Sequence, residues 1–195
     1  MSRACRARRS LVTVLLAGAA ALASPVVGAD DALWQSLAAG GLVVLIRHAS
    51  TVPGVGDPPG FRLGDCTTQR NLSEEGRAEA ARIGAAFRSR GIPVAVVRSS
   101  EWCRCRETAE RAFGVHRPWS ALNSVFSDRG TAGRQRAEVL HGIRNHRGPG
   151  NLVLVTHQVN ITDLTGVVPA SGEGVVLRPK RTGPPELAGR IPPPQ

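Results

Sequence analysis

The chain has 195 residues, of which 42% are hydrophobic and 21% are charged, and its formal net charge is +10. This length and this hydrophobic content are typical of one globular domain with a real core, and they exclude a disordered chain. The charge is almost entirely arginine, since Lys180 is the only lysine, and because tyrosine is absent and no basic run is interleaved with aromatic residues, a nucleic-acid partner is not expected.

The first 29 residues are predicted to be a signal peptide, which leaves residues 30–195 as the folded domain. Four arginines between positions 3 and 9 precede an uncharged apolar stretch at 11–23, and small residues surround the expected cleavage site after Ala29. The apolar stretch is shorter than the roughly 20 residues that span a bilayer, so no membrane span is expected after cleavage. We therefore expect a periplasmic or secreted protein, and Arg8-Arg9 leaves both Sec and twin-arginine export open.

The first elements after the signal alternate between a strand and a helix. Residues 42–46 are continuously aliphatic and predict a strand that is buried on both faces. A loop rich in proline and glycine follows at 52–61, but its glycines lack the spacing of a dinucleotide-binding motif. Ser73 is the predicted N-cap of a helix whose apolar residues recur at i, i+3, i+4 and i+7 from Ala80, and Gly91 ends that helix.

The second half of the chain continues this alternation. Strands are predicted at 94–100 and 152–158, and helices at 101–113 and 134–144, the first of them capped by Ser99 or Ser100. A short helix then stops at Gly166, and residues 174–179 are expected to add an edge strand. The alternation predicts an α/β fold, a three-layer sandwich with a mostly parallel central sheet covered by helices on both faces.

Each of the three buried strands ends in polar residues. In open α/β sheets, ligands bind outside the carboxyl ends of the strands, so neighbouring strands would bring these residues together. The helix after the second strand would add its N-terminal N–H groups and, one turn in, Arg104. Each pair alone is ordinary in a structural role, but the three together predict a cationic pocket for an anion. The pairs are Arg47-His48, Ser99-Ser100 and Thr156-His157.

Four motifs in this order resemble the histidine phosphatase superfamily, in its phosphoglycerate-mutase-like branch. They are "LIRHAST" at 45–51, "LSEEGRAEA" at 72–80, "SSEWCRCRETA" at 99–109 and "LVTHQ" at 154–158. Ala49 and Gln158 stand where the family usually has glycine. Among exported members, the chain is most similar to the lipopolysaccharide-core phosphatases.

The resemblance implies a mechanism that agrees with the predicted pocket. His48 would be the nucleophile and form a phosphohistidine that water hydrolyses. Arg47, Arg104 and His157 would hold the phosphoryl oxygens and stabilise the charge of the transition state. Since arginines take the electrostatic place of a metal, a metal-independent phosphoric monoester hydrolase without a cofactor is expected.

The general acid departs from the family pattern. A glutamate in a Leu-Asn-Glu segment often protonates the leaving group in this branch, but Ser124 occupies the comparable position here. Four carboxylates remain as alternatives, and the sequence does not choose among them. They are Asp128, Glu101, Asp57 and Asp65.

Export permits disulfides, and residues 30–195 contain three cysteines. Cys66 can pair with Cys103 or with Cys105, whereas the latter two are too close in sequence for an easy bridge. We expect one Cys66-linked disulfide and one free thiol, with three free buried thiols as the alternative. Cys103 and Cys105 are a C-x-C pair without a second cysteine pair at zinc spacing, so no metal site is predicted.

The sequence therefore favours an exported phosphomonoesterase that acts on a phosphorylated small molecule or glycan. The alternative is a catalytically idle module that binds phosphorylated glycans, which Ser124 and Gln158 keep open. A phosphoglycerate-type mutase is disfavoured because its substrates are cytosolic. The sequence predicts neither the natural substrate nor the oligomeric state.

Overall fold

The computed structural model describes residues 29–195, so the predicted signal peptide lies outside the described residues except for Ala29, which begins the first helix. The helices are α1 (Ala29–Ala39), α2 (Glu74–Ser89), α3 (Cys103–Phe113), α4 (Ala132–Asn145) and α5 (Gln158–Thr165). The strands are β1 (Val43–Arg47), β2 (Val94–Ser99), β3 (Arg117–Pro118), β4 (Asn151–Thr156), β5 (Gly174–Arg178) and β6 (Glu186–Ile191). Short 3₁₀ turns lie at Cys66–Thr68 and Ser120–Leu122.

The strands form one sheet in the order β3-β2-β4-β1-β5-β6. β1, β4, β2 and β3 pair in parallel, and β5 and β6 add antiparallel strands at one side. The predicted neighbourhood is confirmed, since β2, β4 and β1 lie side by side. Their carboxyl ends therefore meet at one edge of the sheet, where Arg47, Ser99 and Thr156 are the last strand residues.

The central strands β1 and β4 are buried on both faces, which explains their continuous aliphatic residues. β2 was also predicted to be buried, but it exposes Ala95 and Val96 because it lies nearer the edge of the sheet. In β1, Val44 and Ile46 belong to a core cluster with α1, α2 and α3, whereas Val43 and Leu45 belong to a second cluster with α4 and α5. Successive strand residues point to opposite faces, so both sets must be apolar. The predicted three-layer α/β sandwich is confirmed.

α2 begins and packs as its sequence predicts. The Ser73 hydroxyl accepts a hydrogen bond from the Gly76 N–H at 3.0 Å, and two glutamates occupy the first turn. Farther along, α2 crosses α3 closely at Gly84, where a Cβ atom would lie 2.0 Å from the Ala112 carbonyl oxygen. Only glycine fits this contact, so Gly84 sets the distance between the two helices.

The predicted start of α3 was wrong. The helix begins at Cys103 rather than at residue 101, and neither Ser99 nor Ser100 caps it. The Ser100 hydroxyl lies instead 2.9 Å from His157 Nε2 and donates to Asn123 Oδ1 at 3.1 Å. The N-cap residue is Trp102, which has no side-chain capping bond.

Four further elements differ from the prediction. β5 is not an edge strand, because it lies between β1 and β6. β3, β6 and α1 were not predicted; β3 and β6 are the two edges of the sheet, and α1 packs on the sheet through Leu33 and Leu37. Within residues 29–195, no helix is long and apolar enough to cross a bilayer.

Candidate active site

A cavity of about 320 Å³ opens at the carboxyl ends of the central strands. Arg47 and His48 reach it from the end of β1, His157 from the end of β4, and Arg104 from the first turn of α3. The structure thus brings together all four residues predicted for catalysis and phosphate binding. The rings of His48 and His157 lie edge to face, with their centroids 5.5 Å apart.

His48 is held in one tautomer by the backbone. Its Nδ1 atom lies 2.9 Å from the carbonyl oxygen of Ala49, and because a carbonyl only accepts, Nδ1 carries the proton. Burial, together with the charges of Arg104 and Arg47, lowers the pKa of His48 to about 3 although the Ala49 hydrogen bond opposes this shift. The ring is therefore neutral near pH 7, and its Nε2 atom keeps a free lone pair.

His157 is held in the other tautomer by a chain of hydrogen bonds. Asn123 Oδ1 accepts from the Glu101 N–H at 2.9 Å, and Asn123 Nδ2 donates to the Glu101 carboxylate at 2.6 Å, which fixes the amide. The Ser100 hydroxyl donates to Asn123, so His157 Nε2–H donates to Ser100 at 2.9 Å. This leaves Nδ1 of His157 with a lone pair, so the neutral ring cannot donate from that atom to a phosphoryl oxygen, as the predicted role of His157 would require. Burial, with the nearby His48 and positive charges, lowers the pKa of His157 well below its usual value.

Three arginines, rather than the two predicted, line the cavity. Arg47 Nη1 donates to the Pro169 carbonyl oxygen at 2.9 Å, and Arg70 Nη1 donates to the Gly54 carbonyl oxygen at 2.7 Å. Burial first, and the neighbouring arginines second, lower the pKa of Arg47 and of Arg70. Arg47, Arg70 and Arg104 each bury an Nε atom that has no hydrogen-bond partner in the part of the chain that the structure describes. Three guanidinium groups around one cavity favour an anionic ligand.

Asp57 is a fourth charged residue that lines the cavity. Its carboxylate pairs with Arg104 through two contacts of 2.7 and 3.2 Å, and both side chains are at least nine-tenths buried. Trp102 Nε1 donates to the same carboxylate at 2.9 Å, and the Arg70 N–H donates at 3.0 Å. Burial raises the pKa of Asp57, but the hydrogen bond and charge of Arg104 outweigh burial and lower it.

The other candidates for the general acid have different partners. Asp65 accepts from the Thr67 N–H at 3.1 Å and pairs with Arg62 outside the cavity. Asp128 is exposed and accepts from the Gly130 N–H at 2.8 Å. Glu101 holds Asn123, as described above. Of these four carboxylates, only Asp57 lines the cavity.

The cysteines form one disulfide beside the site. Cys66 and Cys103 are bonded, with their Cα atoms 5.7 Å apart, so the 3₁₀ turn of residues 66–68 is fastened to the first residue of α3, next to Arg104. Cys105 is free and fully buried, with its sulfur 3.5 Å from His157 Nε2. Burial raises the pKa of its thiol to about 12, so Cys105 behaves as an apolar core residue.

The motif at residues 72–80 holds the loop that follows His48. A Cβ atom on Gly76 would lie 1.8 Å from the Ser50 carbonyl oxygen, so glycine permits this approach. Glu79 is buried and accepts a hydrogen bond from the Ser50 N–H at 2.8 Å. No non-glycine residue within residues 29–195 has a positive φ, which shows why alanine is tolerated at position 49.

Residues 43–124 match the family model of the histidine phosphatase superfamily, branch 1. No curated protein sequence matches the chain. The fold is similar to that of the protein histidine phosphatase SixA in complex with tungstate, at a TM-score of 0.57 and 14% identity, covering 78% of this chain and 97% of that one. It is also similar to a phosphoserine phosphatase from Entamoeba histolytica in complex with phosphoserine, at a TM-score of 0.58 and 14% identity, with 76% and 95% covered.

A third similar structure is a SixA protein from Agrobacterium tumefaciens, at a TM-score of 0.53 and 23% identity, with 79% and 99% covered. At these identities the structures establish a shared fold, while the family model matches the part of the chain that carries His48 and Arg104. Residues 43–124 therefore match the histidine phosphatase superfamily, and the motifs, the sheet and the cationic cavity of the chain agree with that match.

Proposed function

We propose that this protein is an exported phosphomonoesterase that forms a phosphohistidine on His48 and needs no metal. The observation that carries the proposal is the combination of a neutral His48, whose Nε2 lone pair is free, with three arginine side chains that line the same cavity, those of Arg47, Arg70 and Arg104. A cavity of this charge favours a phosphoryl group, and a free imidazole nitrogen beside it can attack phosphorus.

The reaction has two displacements. His48 Nε2 forms a bond to phosphorus while the bond from phosphorus to the ester oxygen breaks, and the alcohol leaves with a proton. Water then attacks phosphorus, the P–N bond breaks, and its electron pair returns to Nε2. Arg47, Arg70 and Arg104 are the groups that stabilise the charge on the phosphoryl oxygens.

The substrate beyond the phosphate would contact the mouth of the cavity. Val55 and Phe126 line it and are 89% and 54% exposed, so they offer apolar surface to a leaving group. This supports a phosphorylated small molecule or a glycan whose ring can pack on Phe126.

An idle binding module is the second candidate, because Asp57 occupies the Arg104 fork and Ser124 stands in the position of the usual acid. Both candidates bind phosphate, and only the first turns over an ester.

The test is hydrolysis of p-nitrophenyl phosphate by purified protein that begins at Asp30. We expect turnover that persists in excess chelator, and its loss in His48→Ala. His141→Ala, which changes an exposed histidine on α4, is the matched control. Quenching during turnover should trap an acid-labile phosphoprotein in the wild type and none in His48→Ala. Phosphate binding without any turnover would favour the binding module instead.

Export has a separate test. N-terminal sequencing of the protein recovered from the periplasm or medium should begin at Asp30. A chain that keeps its first 29 residues and stays in the cytosol would contradict this part of the proposal.

A further inference from the structure

The first displacement needs a proton donor for the leaving oxygen, and this inference rests on the proposed function. Ser124 lines the cavity, but its hydroxyl accepts a hydrogen bond from the Phe126 N–H at 3.3 Å and serves a local turn. Without a donor, an alcohol of high pKa would have to leave as an alkoxide.

One carboxylate is placed to supply that proton. Asp57 lies in the cavity wall with His48, and Trp102 Nε1 and the Arg70 N–H hold it there at 2.9 and 3.0 Å. These two contacts do not involve the Arg104 guanidinium. They can keep Asp57 in the wall when a phosphoryl group takes the Arg104 fork.

We propose that Asp57 is the proton donor to the leaving group, and that it acquires its proton when the bound phosphoryl group replaces it on Arg104. In the free site, the charged groups that face Asp57 are Arg104 and Arg70, while His48 and His157 share the same cavity as neutral rings. A phosphoryl group removes the Arg104 hydrogen bonds from Asp57 and adds negative charge beside it. Both changes favour the protonated acid.

Asp57 can act as the proton donor of the first step and as the proton acceptor of the second. In the first, the Asp57 carboxyl gives its proton to the ester oxygen as the P–O bond breaks, and the alcohol and the carboxylate result. In the second, the Asp57 carboxylate takes a proton from the attacking water as the P–N bond breaks. Inorganic phosphate then leaves, Asp57 releases this proton to solvent, and its carboxylate pairs with Arg104 again.

The test compares Asp57→Asn with the wild type over esters of increasing leaving-group pKa: p-nitrophenyl phosphate, phenyl phosphate and an alkyl phosphate. Because general acids contribute typically about 10²–10⁴-fold, we expect the alkyl ester to lose about 10²-fold or more in kcat. The p-nitrophenyl ester should lose far less, since its leaving group needs no proton. Inorganic phosphate should inhibit Asp57→Asn more tightly, because the competing carboxylate is gone. Asp128→Asn is the control, as it changes an exposed carboxylate outside the cavity.

A purely structural role for Asp57 makes the opposite prediction. If Asp57 only held Arg104 in place, Asp57→Asn would lower turnover of all three esters equally and weaken phosphate inhibition, and that result would overturn the inference. The wild-type protein alone provides a second test. Its rates should depend only weakly on the pKa of the leaving group, and a steep dependence would also overturn the inference. A wild type that hydrolyses none of the esters would overturn the proposed function and this inference together.

Discussion

His48 and His157 carry their protons on different nitrogens because their neighbours differ. A backbone carbonyl fixes Nδ1–H in His48, and the Ser100 hydroxyl fixes Nε2–H in His157. The consequence is that each neutral ring keeps one lone pair, at Nε2 in His48 and at Nδ1 in His157. Two residues of one type, 5.5 Å apart, are therefore suited to different tasks.

The two buried histidines should make folding sensitive to acid. The unfolded His48 takes up a proton near its usual pKa of about 6.5, whereas the folded residue does so only at about 3. Between these values the unfolded chain binds more protons, so stability falls as the pH falls, by at most about 1.4 kcal/mol per pH unit for this group. Urea unfolding of His48→Gln across that window should show a weaker pH dependence than the wild type.

The control for this prediction is His141→Gln, which changes an exposed histidine. Equal pH dependence in the wild type and His48→Gln would contradict it.

Variants of the Arg104–Asp57 pair should affect the free energy of unfolding and the binding of phosphate differently. Arg104→Ala leaves the Asp57 carboxylate, only 8% exposed, without its charged partner, and breaking such a buried pair costs about 3–5 kcal/mol. The double variant Arg104→Ala/Asp57→Ala should recover much of that stability. It should not recover inhibition by phosphate, because the guanidinium fork is absent in both.

Denaturant unfolding and phosphate inhibition measure the two effects. A double variant that is no more stable than Arg104→Ala would show that the loss comes from packing and not from the unpaired carboxylate.

The sequence predicted His48, His157, Arg47 and Arg104 because each stands in a motif at the end of a strand or the start of a helix. Arg70 was missed because it lies in a polar loop without periodicity, and only the fold brings it to the cavity. Asp57 was one of four alternatives for the same reason. The position of a side chain on a loop depends on the path of that loop in the fold, and the spacing of residues in the sequence does not encode this path.

At the scale of elements, the start of α2 supports the loop that follows the nucleophile. Gly76→Ala would place a Cβ atom 1.8 Å from the Ser50 carbonyl oxygen and push the two apart. Overpacking of this kind costs typically about 1–3 kcal/mol. We expect a lower free energy of unfolding and also a lower kcat, because the loop begins at the residues beside His48.

Gly133 provides the matched control, since it is also in the first turn of a helix. A Cβ atom there meets nothing within 4 Å, and Gly133→Ala should stabilise α4 by up to about 1 kcal/mol. Activity should not change. Similar behaviour of the two variants in unfolding and in turnover would contradict the proposed role of the Gly76 contact.

The predicted bounds agree with the structure for strongly buried strands, and they disagree where tertiary contacts determine whether an element forms or where it begins. β1 and β4 each contain an uninterrupted run of four aliphatic residues and were predicted within two residues of their observed bounds. β6 was missed because "ELAGRI" alternates poorly and contains a glycine; that glycine sits against Leu33 of α1, where a Cβ atom would lie 2.9 Å from Leu33. The start of α3 was predicted two residues too early, since the Ser100 hydroxyl is hydrogen-bonded to His157 and does not cap the helix.

At the scale of the whole molecule, the site depends on a long connection that carries little regular structure. Residues 48–73 run from β1 to α2 with a single 3₁₀ turn, yet they supply Asp57 and Arg70 to the cavity. Fastening this segment to α3 therefore matters more than the count of helices and strands suggests. The Gln69 side chain and the disulfide do so at the same place, since Cys103 N donates to Gln69 Oε1 at 3.0 Å.

The last prediction concerns that disulfide, which spans a sequence separation of 37 residues. In the chain-entropy model, closing a loop of this length contributes about 4 kcal/mol to stability. The variant Cys66→Ser/Cys103→Ser should therefore unfold at a lower temperature. It should also bind inorganic phosphate more weakly, because Arg70 and Asp57 lie on the segment that is released. Cys105→Ala is the control: it removes a thiol that takes no part in the bridge.

Thiol titration checks the bridge itself in protein that begins at Asp30. Without reductant, the native protein should show no reactive thiol, because Cys105 is buried and its pKa is raised to about 12. Denaturation should expose that one thiol, and reduction should raise the count to the three cysteines of residues 30–195. Three thiols in denatured protein that never met a reductant would contradict the bridge. Unchanged phosphate binding in the double serine variant would show that residues 48–73 hold their place without it.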